Sequence, residues 1–81
     1  MSWNYRIIIE RDGTYAIHEV YYSSEKPDDS EIKHMSADPA IPFGDTLEEL
    51  KEDIKHYVAA LNKPVLDECE LEKMWEKNDE R

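Results

Sequence analysis

Long apolar runs and cysteine pairs are absent from this chain of 81 residues. No apolar run approaches the roughly 20 residues that a helix needs to cross a bilayer, and the N-terminus lacks the apolar segment of a signal peptide. The single cysteine, Cys69, cannot form a disulfide within the chain and has no neighbour at metal-ligand spacing, which is typical of a reducing compartment. We therefore expect a cytoplasmic protein with no membrane segment.

Basic residues are scarce as well. Lysine and arginine number 10 against 20 aspartates and glutamates, which gives a net charge of −10, and both halves of the chain are acidic. Such a surface repels a polyanion, and no basic stripe offsets the repulsion. We therefore expect no binding to nucleic acid, whereas a basic protein is a favourable partner.

Two segments rich in aromatic and β-branched residues, 3–10 and 15–22, flank the dipeptide Asp12-Gly13. This dipeptide favours a two-residue type I′ turn, so the pattern predicts a β-hairpin in which Arg6 lies opposite Glu19. One face then carries most of the apolar bulk, namely Trp3, Tyr5, Ile7, Ile9, Ala16, His18, Val20 and Tyr22. The other face carries a smaller apolar patch around the charged pair, namely Ile8, Tyr15, Ile17 and Tyr21.

The chain that follows the hairpin is expected to be mostly irregular. Residues 23–30 are polar and contain a proline, which is typical of a surface loop. Residues 31–36 alternate weakly, with Ile32 and His34 on one side, and predict a third strand. The prolines beyond it favour an extended approach to a helix.

Residues 43–50 contain the start signal of that helix. The Thr46 hydroxyl can accept a hydrogen bond from the Glu49 N–H while the Glu49 carboxylate accepts one from the Thr46 N–H, which is the capping-box arrangement. Apolar residues then recur at helical spacing, and we expect this face to cover the sheet: Leu47, Leu50, Ile54, Tyr57, Val58 and Leu61. The helix should end near Asn62, which tolerates a left-handed conformation, because Pro64 follows.

The acidic tail can form a second, short helix. Asp67 is a possible cap, and an apolar stripe follows it: Leu71, Met74 and Trp75. A helix of about ten residues is marginal in water by itself, so it requires that Trp75 docks. The sequence thus predicts a domain over residues 1–62 and an acidic tail, or short docked helix, over residues 63–81.

The hairpin and the helix start together resemble the partial ferredoxin-like or dsRBD-like domain of HicB antitoxins. The matching positions are Tyr5, Ile7, Ile9, Glu10, Asp12-Gly13, Tyr15, Ala16, Gly44-Asp45-Thr46, Glu48 and Glu49. The resemblance covers residues 3–62 and implies an α+β fold of order βββα, with a three-stranded antiparallel sheet and one covering helix. It also implies binding to a toxin.

Two shorter segments are similar to a set of small bacterial proteins of HicB type that have no established activity. These segments are Trp3-Asn4-Tyr5-Arg6 and Lys63-Pro64-Val65-Leu66. The chain departs from HicB proteins where the polar loop after the hairpin and residues 31–43 replace a Pro-Asp-Leu-Pro-Gly-Cys-like segment. It also has an acidic tail where many of them carry a DNA-binding region.

Side chains that could support catalysis or metal binding are few. His18 and Glu19 are neighbours on a strand and point to opposite faces, so they do not chelate one ion together. His18 on the mostly apolar face fits a hydrogen-bonded core or rim histidine. No nucleophile has a base at catalytic spacing, and pairs among 20 carboxylates are uninformative. We therefore expect no enzyme, no cofactor and no metal.

The function expected from the sequence is that of a small protein-interaction module, and antitoxin-like binding of a basic protein is one version of it. The alternative is a small-molecule or metal-responsive domain that uses the His18 neighbourhood. The partner-binding residues are assigned to the patch left uncovered by the helix and to the tail: Ile8, Tyr15, Ile17, Tyr21 and Trp75. Because a small domain rarely leaves such a patch in water, we expect a homodimer through it, or a tail that covers it within one chain.

Overall fold

The computed structural model describes residues 2–25 and 28–79 and has an α+β fold built on a curled four-stranded sheet. The strands are β1 (Ser2–Ile9), β2 (Tyr15–Tyr22), β3 (Ile32–Met35) and β4 (Leu66–Asp67), in the order β3-β2-β1-β4. The helices are α1 (Leu47–Ala60) and α2 (Glu68–Asp79). The expected three-stranded antiparallel sheet with one helix is wrong, because β4 pairs in parallel with β1 and the tail supplies a second helix.

The β1–β2 hairpin closes through a three-residue loop, residues 11–13. The Glu10 N–H donates to the Thr14 carbonyl at 2.8 Å, and the Gly13 N–H donates to the Glu10 carbonyl at 2.9 Å. Gly13 has a φ of 89°, whereas Asp12 keeps a negative φ and accepts a hydrogen bond from the Thr14 N–H at 3.0 Å. A two-residue type I′ turn needs positive φ at both central positions, so the expected turn does not form.

The longer loop makes the expected register wrong by one residue. Arg6 lies opposite His18, and Glu19 lies opposite Tyr5. Cross-strand partners share a face, so the shift exchanges the two faces of β2 relative to β1. The core face now consists of Ser2, Asn4, Arg6, Ile8, Ala16, His18, Val20 and Tyr22. The opposite face, called here the α1 face, consists of Trp3, Tyr5, Ile7, Ile9, Tyr15, Ile17, Glu19 and Tyr21.

β3 confirms the expected third strand within residues 31–36 but not its side-chain pattern. The ladder shifts between Tyr21 and Tyr22, so that Tyr22 pairs with Ile32 while Tyr21 pairs with His34. Ile32 is fully buried with the core face, whereas the His34 ring stacks on Tyr21 at 5.5 Å between centroids. Ile32 and His34 therefore do not share a face, because the irregularity interrupts the two-residue alternation.

Residues 23–30 form the expected surface loop in the part that the structure describes; Lys26 and Pro27 lie outside the described residues. The loop runs into a 3-10 turn over Asp29–Glu31, which Asp28 caps by accepting a hydrogen bond from the Ser30 N–H at 2.9 Å. This turn places the Asp29 carboxylate beside the core face.

α1 begins where the capping signal predicted it. The Thr46 hydroxyl accepts a hydrogen bond from the Glu49 N–H at 3.1 Å, which confirms the cap. The reciprocal bond differs, because Glu49 Oε1 accepts from the Asp45 N–H at 3.0 Å. The helix ends at Ala60, near the expected position, but Leu61 caps it in a right-handed conformation and Asn62 has no positive φ.

Only part of the apolar stripe of α1 packs on the sheet. Leu50 and Tyr57 are half-buried and Ala60 is buried, and Tyr57 stacks on Tyr5 with 4.3 Å between ring centroids. The other stripe residues, Leu47, Ile54, Val58 and Leu61, are exposed. The expectation that the whole stripe covers the sheet is therefore wrong. The side of α1 that faces the sheet includes only one edge of the stripe, and the rest of the stripe faces away from the sheet.

The tail covers the core face. Asp67 caps α2 by accepting a hydrogen bond from the Cys69 N–H at 2.8 Å, which confirms the predicted cap. Leu71 joins the hydrophobic core, and the Trp75 indole N–H donates to the Ile32 carbonyl at 2.8 Å. The two helices therefore lie on opposite faces of the sheet. The tail folds back within one chain, but of the predicted patch it covers only Ile8, because Tyr15, Ile17 and Tyr21 lie on the α1 face.

Candidate functional site

An open depression lies on the α1 face at the end of the sheet where β1 begins. Two strands form its floor, and Glu19 on β2 lies directly opposite Tyr5 on β1. The walls come from α1 and from the extended segment that precedes it. We call it the aromatic acidic pocket, and it is lined by Trp3, Tyr5, Glu19, Ile41, Phe43, Glu49, Asp53 and His56.

Asp53 joins the three parts of this pocket. The Tyr5 hydroxyl donates to Asp53 Oδ1 at 2.8 Å, and the Phe43 N–H donates to Asp53 Oδ2 at 3.0 Å. One carboxylate on α1 therefore holds both the first strand and the preceding segment in place. Burial first, and then the hydrogen bond to Asp53, raise the pKa of the Tyr5 phenol, which keeps it a neutral donor.

Aromatic rings surround this hydrogen bond. The rings of Trp3 and Tyr5 meet edge to face, with 5.3 Å between centroids and 80° between planes. Tyr5 is buried, but Trp3 is 51% exposed and Phe43 is 69% exposed. Two aromatic side chains therefore border the pocket with much of their surface in solvent.

Three carboxylates give the pocket its charge. Glu19 accepts a hydrogen bond from the Tyr21 hydroxyl, which raises the pKa of Tyr21. Glu49 accepts from a backbone N–H, and Asp53 accepts from a phenol and a backbone N–H. Within the described residues, no lysine or arginine lines the pocket. The donors orient the carboxylates without neutralising them, so the pocket favours a cation.

A second polar cluster lies on the core face, around Arg6. The Arg6 guanidinium binds both carboxylate oxygens of Asp29, at 2.7 and 3.2 Å, and donates to the Tyr22 hydroxyl at 3.0 Å and the Pro64 carbonyl at 2.6 Å. Burial alone lowers the pKa of Arg6, but Asp29 and Tyr22 raise it above the ordinary value. These bonds join the sheet to two connecting segments, which is a structural role.

His18 is a buried, hydrogen-bonded core histidine, as one expectation held. Its Nε2 lies 2.6 Å from Glu10 Oε2, and its Nδ1 lies 3.0 Å from the Ser36 carbonyl oxygen. Both ring nitrogens of His18 therefore have a hydrogen-bond partner, which is a structural role. Within residues 2–25 and 28–79, no group of three side chains is placed to ligate a metal ion.

The structure does not bring the five predicted partner-binding residues together. Ile8 is fully buried in the core, and Trp75 is half-buried on the same side of the sheet. Tyr15, Ile17 and Tyr21 lie on the opposite, α1 face, where Tyr15 is 67% exposed. The one-residue change of register separates the two groups.

Sequence reasoning missed the convergence of Trp3, Phe43 and Asp53. These residues come from a strand, an extended segment and a helix, so no local spacing relates them. One weak signal was present, because Asp53 is a carboxylate one helical turn before Tyr57, on the side of α1 that contacts the sheet.

Comparison of the chain with protein-family models, curated proteins and solved structures finds no match. Function is therefore inferred from the geometry of the molecule itself. Neither helix in the part of the chain that the structure describes is long and apolar enough to cross a bilayer.

Proposed function

We propose that this protein is a small interaction module that binds a cationic side chain of a partner protein in the aromatic acidic pocket. The observation that carries this proposal is the convergence of two exposed aromatic side chains, Trp3 and Phe43, with three carboxylates. Cations bind over the faces of aromatic rings, and tryptophan provides the strongest such face. The net charge of −10 also attracts a basic partner over a longer distance.

Arginine fits this pocket better than lysine. Its planar guanidinium can stack on an indole while its N–H groups bind carboxylate oxygens, whereas an ammonium group is a more strongly hydrated point charge. Glu19 and Glu49 line the pocket together with Trp3, and each accepts a hydrogen bond from the chain through its Oε1 atom. The pocket thus combines the two contacts that a guanidinium prefers.

Antitoxin-like binding is one version of this proposal. The HicB resemblance of residues 3–62 suggests a basic toxin as the protein that supplies the arginine. The acidic surface and the pocket support a basic partner in general, and a small basic ribonuclease encoded next to this protein would favour the toxin in particular.

The test is calorimetric titration with a short arginine-rich peptide and with the same peptide in which citrulline replaces arginine. Binding of the first peptide and not of the second is expected, since citrulline keeps the shape and removes the charge. The Glu19→Gln/Glu49→Gln variant should bind at least about tenfold more weakly, a change of about 1.4 kcal/mol. Glutamine still accepts the native hydrogen bonds, so the fold should be retained.

The matched control is Glu70→Gln/Glu76→Gln, which removes the same charge from exposed positions of α2 on the other side of the sheet. It should bind within about twofold of the unmodified protein. An equal loss in both double variants would show that the peptide senses only the overall charge, and it would reject the pocket. Trp3→Leu should weaken binding without a change in charge.

A further inference from the structure

One side of α1 carries the exposed part of its apolar stripe, which nothing in the described chain covers. Its members and their exposures are Leu47 at 62%, Ile54 at 43%, Val58 at 54% and Leu61 at 63%. Successive helical residues are about 100° apart, so the four side chains fall within about 60° of the helix circumference. His56 of the aromatic acidic pocket projects from the opposite side. The stripe and the pocket are therefore separate surfaces.

We propose that a second copy of this chain covers the stripe, with the two α1 helices antiparallel about a two-fold axis that passes near Ile54. Leu47 precedes Ile54 by seven residues and Leu61 follows it by seven. An antiparallel pair centred there places Leu47 against Leu61 of the partner subunit and Ile54 against its own copy. The stripe is therefore complementary to itself, as a two-fold interface requires.

The spacing of the stripe matches this kind of helix pairing. The exposed residues Leu47, Ile54 and Leu61 recur at intervals of seven residues, and Val58 lies between the last two. This is the repeat by which two helices pack side by side over two heptads. Leu50 and Tyr57 are already half-buried, and they form the edge of the stripe next to the sheet.

The charges of α1 favour the antiparallel orientation. Within α1, residues 47–53 hold four carboxylates and one lysine, whereas residues 54–60 hold one lysine, one histidine and no carboxylate. Antiparallel packing places the acidic half of each helix beside the basic half of the other. It also places the partly positive N-terminus of each helix near the partly negative C-terminus of its partner. Parallel packing would place like halves together. The charge pattern therefore points to a second copy in one orientation.

The acidity of the whole chain does not prevent this association. Residues 45–63 hold five acidic and three basic side chains, which is −2 of the net charge of −10. Most of the repulsive charge therefore lies away from the proposed interface, where physiological salt screens it over about 8 Å. The pocket stays open in such a dimer, so the association does not depend on the proposed binding function.

The first experiment is sedimentation equilibrium of the full chain at about 100 μM, a concentration at which a micromolar dimer is populated. Twice the monomer mass is expected for the unmodified protein and monomer mass for Ile54→Glu, which sets two like charges against each other at the axis. Tyr15→Glu, at a position 67% exposed on β2, is the control and should remain dimeric. A monomeric unmodified protein overturns the proposal, as does a dimeric Ile54→Glu.

The second experiment tests the orientation by oxidative cross-linking in a Cys69→Ser background. Ile54→Cys should form a disulfide-linked dimer, because the two copies of this position approach each other at the axis. Leu47→Cys should not, since its own copy lies at the far end of the interface. Cross-linking of Leu47→Cys without cross-linking of Ile54→Cys would overturn the antiparallel arrangement. Circular dichroism of each variant shows whether the fold is retained.

Discussion

Arg6 and His18 are direct cross-strand partners on the core face, and both side chains are almost completely buried. Two groups able to carry positive charge therefore lie side by side inside a small protein. Each has its own carboxylate, since Arg6 binds Asp29 and His18 lies beside Glu10. Glu10 directly follows β1, whereas Asp29 lies in the 3-10 turn, so the Arg6 pair joins a separate connecting segment to the sheet.

The Arg6→Lys variant should lose about 2–3 kcal/mol of unfolding free energy, because an ammonium group cannot replace the bidentate bond to Asp29 and also reach Tyr22 and the Pro64 carbonyl. Urea unfolding at neutral pH measures the loss. Asp29→Asn is the control and should cost less, since the Asp29 side chain is half exposed and can be hydrated. Equal stability of Arg6→Lys and the unmodified protein would refute the structural role of the guanidinium.

Removal of residues 68–81 should abolish cooperative unfolding. Without α2, the core face loses Leu71 and the packing of Met74 and Trp75, and a fold of this size has little apolar surface to spare. Trp75→Phe should cost only about 1 kcal/mol, because it removes the hydrogen bond to Ile32 and keeps most of the ring. Thermal unfolding followed by circular dichroism distinguishes these outcomes. A sharp transition in the truncated chain would contradict this prediction.

Gly44→Ala should destabilise the start of α1. A Cβ at position 44 would lie only 2.9 Å from the Cβ of Glu49 and even closer to the backbone nitrogen of Leu50. The backbone must therefore shift, at a cost of about 1–3 kcal/mol. Gly13→Ala is a useful comparison. Gly13 has open space around it, but its positive φ of 89° is a conformation that residues with a side chain rarely adopt. Chemical denaturation would show Gly44→Ala to be harmless if the close approach were absent.

Stability should fall as the pH rises above the ordinary tyrosine pKa of 10.0. Burial and the hydrogen bond to Asp53 raise the pKa of Tyr5, and burial raises that of Tyr57. The unfolded chain releases these protons first, so the stabilisation is complete below pH 10 and is lost as the pH approaches the folded pKa values. Unfolding free energies at about pH 8 and pH 11 test this. The unfolding free energy of Tyr5→Phe should depend less on pH than that of the unmodified protein. An unchanged pH dependence would contradict the assignment of this effect to Tyr5.

Local signals predicted the local features. Thr46 caps α1 through a bond to the nearby Glu49 N–H, and Asp67 caps α2 in the same way, so a few adjacent residues contain all the required groups. The third strand was also located correctly. By contrast, Glu49 binds the Asp45 N–H and not that of Thr46, a choice between two nearby donors that the residue pattern does not determine.

The hairpin shows why one local choice had long-range effects. Asp12-Gly13 is compatible with both a two-residue and a three-residue loop, and the hydrogen bond from the Thr14 N–H to Asp12 accompanies the longer one. That difference of one residue moved Ile8 away from Tyr15 and Ile17. The predicted partner-binding surface depended on this register.

The sequence by itself determined the acidic charge, the hairpin segments, the two helix starts and the apolar periodicity of α1, because each depends on composition or on residues within one or two turns. Only the tertiary structure decided the register, the parallel strand β4, the docking of Trp75 on the core face and the meeting of Trp3, Phe43 and Asp53. It also decided which part of the α1 stripe stays exposed. These features depend on how elements distant in sequence pack together, and a periodic pattern states that a face is apolar without stating what covers it.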